Sequence, residues 1–98
     1  MKASQGSIKR VFYIDLNEVL TRDGFQERIA AELPVPDHYG RNLDALFDIL
    51  TEAGAGWDLI FYGSSVLKSR EPKYFATVLR LCDEACAETP GLRIRFFR

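Results

Sequence analysis

The sequence predicts an α/β fold: a small three-stranded parallel sheet packed with about three to four helices. Three observations carry that expectation. Apolar, β-prone runs stand near the start, middle and end of the chain, stretches of helical period fill the gaps, and 98 residues are enough for one core. The order strand, helices, strand, helix, strand gives parallel pairing through right-handed crossovers. One domain over residues 1–98 is expected, with residues 1–9 read as a flexible lead.

Val11-Phe12-Tyr13-Ile14, ending at Asp15, is a continuous apolar run and reads as a strand buried on both faces. Asp23 is a candidate N-cap for a helix from about Gly24 to Leu33, in which Phe25, Ile29 and Leu33 recur every four residues among Gln26, Glu27, Arg28 and Glu32. Pro34 and Pro36 stop it. After the loop formers Asp37 to Arg41, Asn42 caps a second helix running from Leu43 to Thr51 or Glu52. Its apolar Leu43, Leu46, Phe47 and Leu50 fall at i, i+3, i+4 and i+7. Gly54 and Gly56 end it.

Trp57 to Tyr62 reads as the second strand, centred on Leu59, Ile60 and Phe61, and Gly63-Ser64-Ser65 as a turn. Val66 to Lys68 form a short helix. Pro72 suits the first turn of a longer helix, where Phe75, Val78, Leu79, Cys82 and Cys86 keep the helical period as far as Glu88. Pro90-Gly91 breaks it. Leu92 to Phe97 then alternates Leu92, Ile94 and Phe96 with Arg93 and Arg95, the pattern of a strand with one wet face or an open edge. The terminal arginines read as edge-protecting and solubilising.

Composition narrows the function classes. Apolar residues make up 47% and charged residues 28%, so the chain should fold without a partner. A formal charge of −1 gives the whole molecule no strong field for nucleic acid, and direct nucleic-acid binding is not expected. Charge is nonetheless unevenly placed: Lys2, Lys9, Arg10, Arg93, Arg95 and Arg98 lie towards the ends, while acids pair inside helices as Asp44 with Asp48 and Glu84 with Glu88. No run approaches the ~20 apolar residues of a membrane span, and Met1 to Arg10 lacks a signal-peptide core, so the expected compartment is the cytoplasm. Cys82 and Cys86, the only cysteines, sit four apart on one helix face as small core residues.

The second helix carries the functional signal. At about 100° per residue, its apolar stripe centres near Leu43 and Leu50, while Asp44 and Asp48 lie well over 90° away and neighbour each other on the solvent side. Their mutual repulsion costs an isolated helix ~0.3 kcal/mol, which Asp44 offsets near the positive end of the helix dipole. Stability alone does not require Asp48.

Tyr39-Gly40-x-Asn42-Leu43-Asp44-Ala45-Leu46-x-Asp48, with an aromatic at Phe47, resembles the corresponding segment of the barstar family of intracellular ribonuclease inhibitors, and the order of elements fits from Val11 onward. The resemblance implies a barstar-like fold, no enzymatic activity, no cofactor and no metal, a ribonuclease of the barnase type or a related toxin domain as partner, and a monomer when free. It implies a partner-binding surface made of His38, Tyr39, Gly40, Asn42, Leu43, Asp44, Phe47, Asp48 and Thr51, with Asp48 as anchor and Tyr39 pressing an aromatic surface beside it. Glu84 and Glu88 match acidic family positions and are expected at or beyond the rim. Four positions depart from the pattern: His38 replaces an aromatic, Arg41 a residue often acidic, Phe47 a Trp and Ile49 a Cys. Phe47 and Ile49 preserve packing, whereas His38 and Arg41 alter the contact surface.

Two other readings stand beside this one. Asp44, Asp48 and His38 could bind Mg²⁺ as part of an enzyme, with Asp37 a weak third carboxylate. Alternatively, the fold could serve as an immunity or regulatory module for a different toxin or nuclease. Nucleophilic catalysis has little support, because His38 is the sole His and Ser64 and Ser65 have no evident base.

Overall fold

The computed structural model describes residues 9–98, so most of the 1–9 lead lies outside the described residues. Strand β1 (Arg10–Asp15) is followed by helices α1 (Arg22–Glu32) and α2 (Leu43–Ala53), strand β2 (Trp57–Tyr62), helices α3 (Ser65–Arg70) and α4 (Pro72–Glu88), and strand β3 (Arg93–Phe96). The three strands form one parallel sheet in the order β1-β2-β3. The barstar-like α/β class expected from sequence is the class observed.

Strand order dictates where the core lies. Two right-handed crossovers that step the same way along a sheet put all their helices on one face. That face carries Ile14 of β1, Trp57, Leu59 and Phe61 of β2, and Ile94 and Phe96 of β3. Against it pack Phe25 and Ile29 of α1, Leu46 and Leu50 of α2, Leu67 of α3, and Phe75, Val78, Cys82 and Ala85 of α4. Phe61 lies between Phe96, stacked on it at 4.5 Å, and Phe25 at 6.0 Å.

The same topology corrects the reading of the first strand. β1 is at the sheet's margin and no helix covers its second face, so Val11 is 47% and Tyr13 63% exposed rather than buried. Burial on both faces needs helices on both faces, which this strand order does not supply.

Other differences are local. α1 begins at Arg22 and is capped by Thr21, whose hydroxyl accepts the Gly24 N–H at 3.0 Å; Asp23 falls inside the first turn instead of capping it. The short helix extends over Ser65–Arg70, and α2 reaches Ala53. Gln26, one of the polar residues between the apolar positions of α1, is buried. Arg95 is more than a solubilising charge: its Nη2 donates to both carboxylate oxygens of Asp58 at 3.0 Å. Asp58 is only 7% exposed, so this pair satisfies a carboxylate that water scarcely reaches. Cys82 is buried and Cys86 half-buried, both as free thiols.

Candidate functional site

The loop before α2 is held by contacts that the sequence pattern only hints at. The Tyr39 ring is buried, and its hydroxyl donates to Gln26 Oε1, while Gln26 Nε2 donates to the Tyr74 hydroxyl at 3.0 Å. This chain of three side chains ties the loop to α1 and α4. Burial pushes the Tyr39 phenol up to about 12, with the nearby Tyr74 adding to it and Arg41 opposing it. Tyr39 was expected to present an aromatic surface to a partner; it points inward because the ring fills core space and its hydroxyl has a buried acceptor.

Arg41 takes a left-handed backbone conformation, φ 53°, which reverses the chain into the helix. Its Nε lies 3.1 Å from Glu27 Oε2 on α1, so the charge expected to alter the contact surface is shared with an acid of the same molecule. Asn42 then caps α2: its Oδ1 accepts the Ala45 N–H at 2.8 Å and its Nδ2 donates to the Gly40 carbonyl at 3.3 Å. An added Cβ at Gly40 would come within 3.1 Å of Asn42 Nδ2, so a side chain there would crowd the cap.

The capped helix sets the site. Leu46 and Leu50 are buried, Leu43 and Phe47 half-buried, and Asp44 and Asp48 exposed one turn apart. Leu43, Asp44, Phe47 and Asp48 form one wall of a groove of about 550 Å³, and Thr77, Arg80, Leu81 and Glu84 of α4 form the other. Asp48 also borders a smaller hollow on its other side, with His38, Gly40 and Ile49 among its neighbours there. The carboxylate of Asp48 therefore stands on the ridge between two depressions, and the acids Asp44 and Glu84 share one of them.

The sequence-predicted residues thus divide. His38, Gly40, Asp44, Asp48, Phe47, Leu43 and Glu84 surround the ridge. Asn42 builds it from within, and Tyr39, though buried, also lines the smaller hollow beside Asp48. The Thr51 hydroxyl donates to the Phe47 carbonyl at 2.9 Å and approaches that of Asp48 at 3.4 Å, so its polar atom is engaged inside the helix. Glu88 is exposed, one turn beyond Glu84, and borders neither depression.

Thr77, Arg80 and Leu81 were not anticipated at the groove. The signal was available, since Thr77, Leu81 and Glu84 recur at i, i+4 and i+7 and share a helical face, but only the packing of α4 beside α2 shows what that face meets. Arg80 places one cation among the three acids.

No set of three or more His, Cys, Asp or Glu side chains among the described residues converges where a metal ion could be held. Asp44, Asp48 and Glu84 line one groove without forming such a set, and Asp37 and His38 do not complete one. Nor, among the described residues, is any helix long and apolar enough to cross a membrane.

A one-layer parallel sheet backed by helices, with two open depressions beside α2 that Asp48 borders on both sides, defines a small α/β protein with acidic side chains gathered along one helix. The model of the Barstar family, described as barnase inhibitor, matches residues 9–97, and the chain belongs to that family. No curated protein is similar enough to this chain to count as a match.

Proposed function

We propose that this chain is a stoichiometric, non-covalent inhibitor of a ribonuclease of the barnase type, acting as one domain in the cytoplasm and covering the enzyme's cationic cleft with the loop 37–41 and helix α2. The observation that carries the reading is the placement of Asp48 on an exposed ridge, one helical turn from Asp44 and beside Glu84. A ribonuclease must hold phosphate oxygens with Arg and Lys side chains, and fixed carboxylates can take the place of those oxygens. A helix presents them with little ordering entropy, because Asn42 and the Tyr39–Gln26–Tyr74 chain already hold the element in place. Arg80 adds a partner requirement: an acidic or neutral polar group should lie opposite it.

The test is inhibition of a purified barnase-like ribonuclease, with complex formation followed by calorimetry. Wild type should titrate at one to one. Asp48→Ala should weaken binding at least ~30-fold, and Glu88→Ala no more than ~5-fold, since a central desolvated charge contact outweighs a rim one. Equal effects would remove the proposed geometry. Capture of a toxin domain that does not cleave RNA, with no effect on ribonucleases, would favour the immunity-module reading.

A further inference from the structure

We propose that a hollow at the carboxyl ends of β2 and β3 is a binding site for a small aromatic phosphate, a phosphate monoester carried on a ring. The hollow measures about 680 Å³ and shares no lining residue with the groove beside α2. Helix α4 runs between the two. Thr77 and Leu81 face the groove, while Phe75 and Leu79, each two positions earlier and so about 200° round the helix, face the hollow. The carboxyl end of the strands is the end at which open α/β sheets hold their ligands.

One wall is apolar and already fixed. Phe96 lies edge-on to Phe75 at 5.6 Å and stacks on Phe61 at 4.5 Å, so a ring entering the hollow meets side chains that need no ordering. Leu79 belongs to the apolar period of α4, yet it is 37% exposed because it fronts the hollow instead of the core. The other wall is polar. Ser65 and Lys68, three apart on α3, stand with Arg98, which lies two residues past Phe96 and on the same side of the chain. Buried Ser64 ties the walls together, since its hydroxyl donates to the Phe97 carbonyl at 3.0 Å and its N–H to the same oxygen at 3.1 Å.

Charge selects the ligand. Among the described residues no Asp or Glu lines the hollow, and neither Lys68 nor Arg98 is in ion-pair contact with an acid. Glu71, three residues after Lys68, is turned towards Arg22 at 3.8 Å and borders a different hollow. The polar wall therefore offers an ammonium, a guanidinium and a hydroxyl to an incoming acceptor. A phosphate monoester has three terminal oxygens and, at neutral pH, a charge of roughly −1.5 to −2, which answers all three donors and both cations. A carboxylate has two oxygens and one charge. The ring of the ester takes the apolar wall, where contacts with Phe75 and Phe96 add to the area removed from water.

Titration of the ¹⁵N-labelled full chain with phenyl phosphate, followed by amide shifts, tests the site. For so small a ligand a dissociation constant of about 1–5 mM is expected, with the largest shifts at Ser65, Lys68, Leu79 and Arg98. Inorganic phosphate, which leaves the apolar wall bare, and phenylacetate, which has one charge, should each bind at least ~5-fold more weakly. Lys68→Glu should raise the dissociation constant of phenyl phosphate at least ~10-fold, and Lys68→Arg should keep it within ~3-fold of wild type. Melting curves establish that both variants fold. Shifts that do not saturate, shifts centred on other basic residues, inorganic phosphate binding as tightly as the ester, or a Lys68→Glu titration like that of wild type would each overturn the proposal.

Discussion

Replacing Tyr39 with Phe removes one oxygen and tests whether the loop before α2 is held from inside. Gln26 is 3% exposed and Tyr39 6%, so the Gln26 carbonyl oxygen that loses its donor has little access to water. An unsatisfied buried acceptor costs about 1–3 kcal/mol. Unfolding entropy near 2.1 cal/mol/K per residue makes 1 kcal/mol worth ~5 °C in a chain of 98 residues, so Tm should fall by about 5–15 °C. Calorimetric or circular-dichroism melts at neutral pH measure it. The double variant Gln26→Leu with Tyr39→Phe removes acceptor and donor together, and its cost should fall short of the two single costs added, by at least ~0.5 kcal/mol. A Tyr39→Phe melting point within ~2 °C of wild type, or strict additivity in the double variant, would refute the claim that this bond is buried and coupled.

The Asp58–Arg95 pair should respond unequally to its two truncations. Arg95→Met leaves a carboxylate that is 7% exposed with no cation, for a cost of about 3 kcal/mol, whereas Asp58→Asn leaves a guanidinium whose side chain is 41% exposed and can turn to water, for about 1 kcal/mol; urea unfolding of both variants at low protein concentration checks the order. Stability should also fall in alkali. Burial holds the Cys82 thiol at about 12 against an ordinary 9.0 and the Tyr39 phenol at about 12 against 10.0, so between those values the unfolded chain has lost protons that the folded one retains. The free energy of unfolding should stay level from these groups below about pH 9 and decline as the pH rises towards 12, and Cys82→Ala should flatten the early part of the decline in melts taken from pH 8 upward.

Much of the fold was legible because local signals agreed. Apolar runs and helical periods placed seven elements in order, Asn42 and Pro72 marked two helix starts, and the i, i+3, i+4, i+7 stripe set Asp44 and Asp48 on the outer side of α2. Less legible were positions whose neighbours come from distant segments. Thr21 and Asp23 are both acceptable caps, and which one serves depends on where the chain leaves the sheet. Gln26 looks like any surface residue until Tyr39 and Tyr74 close around it from 13 and 48 positions away.

The sequence by itself determined the parallel α/β class, the kinship with the Barstar family and the pairing of two carboxylates on one helix, because each of these follows from the residue pattern within short spans. Tertiary structure alone decided that Tyr39 turns inward, that Arg95 neutralises Asp58, that Arg80 and Glu84 form the far wall beside Asp48, and that one side of the sheet is bare. Those outcomes depend on which segments meet in space. The direction of two crossovers and the packing of α4 on α2 set them, and no window of neighbouring residues encodes either.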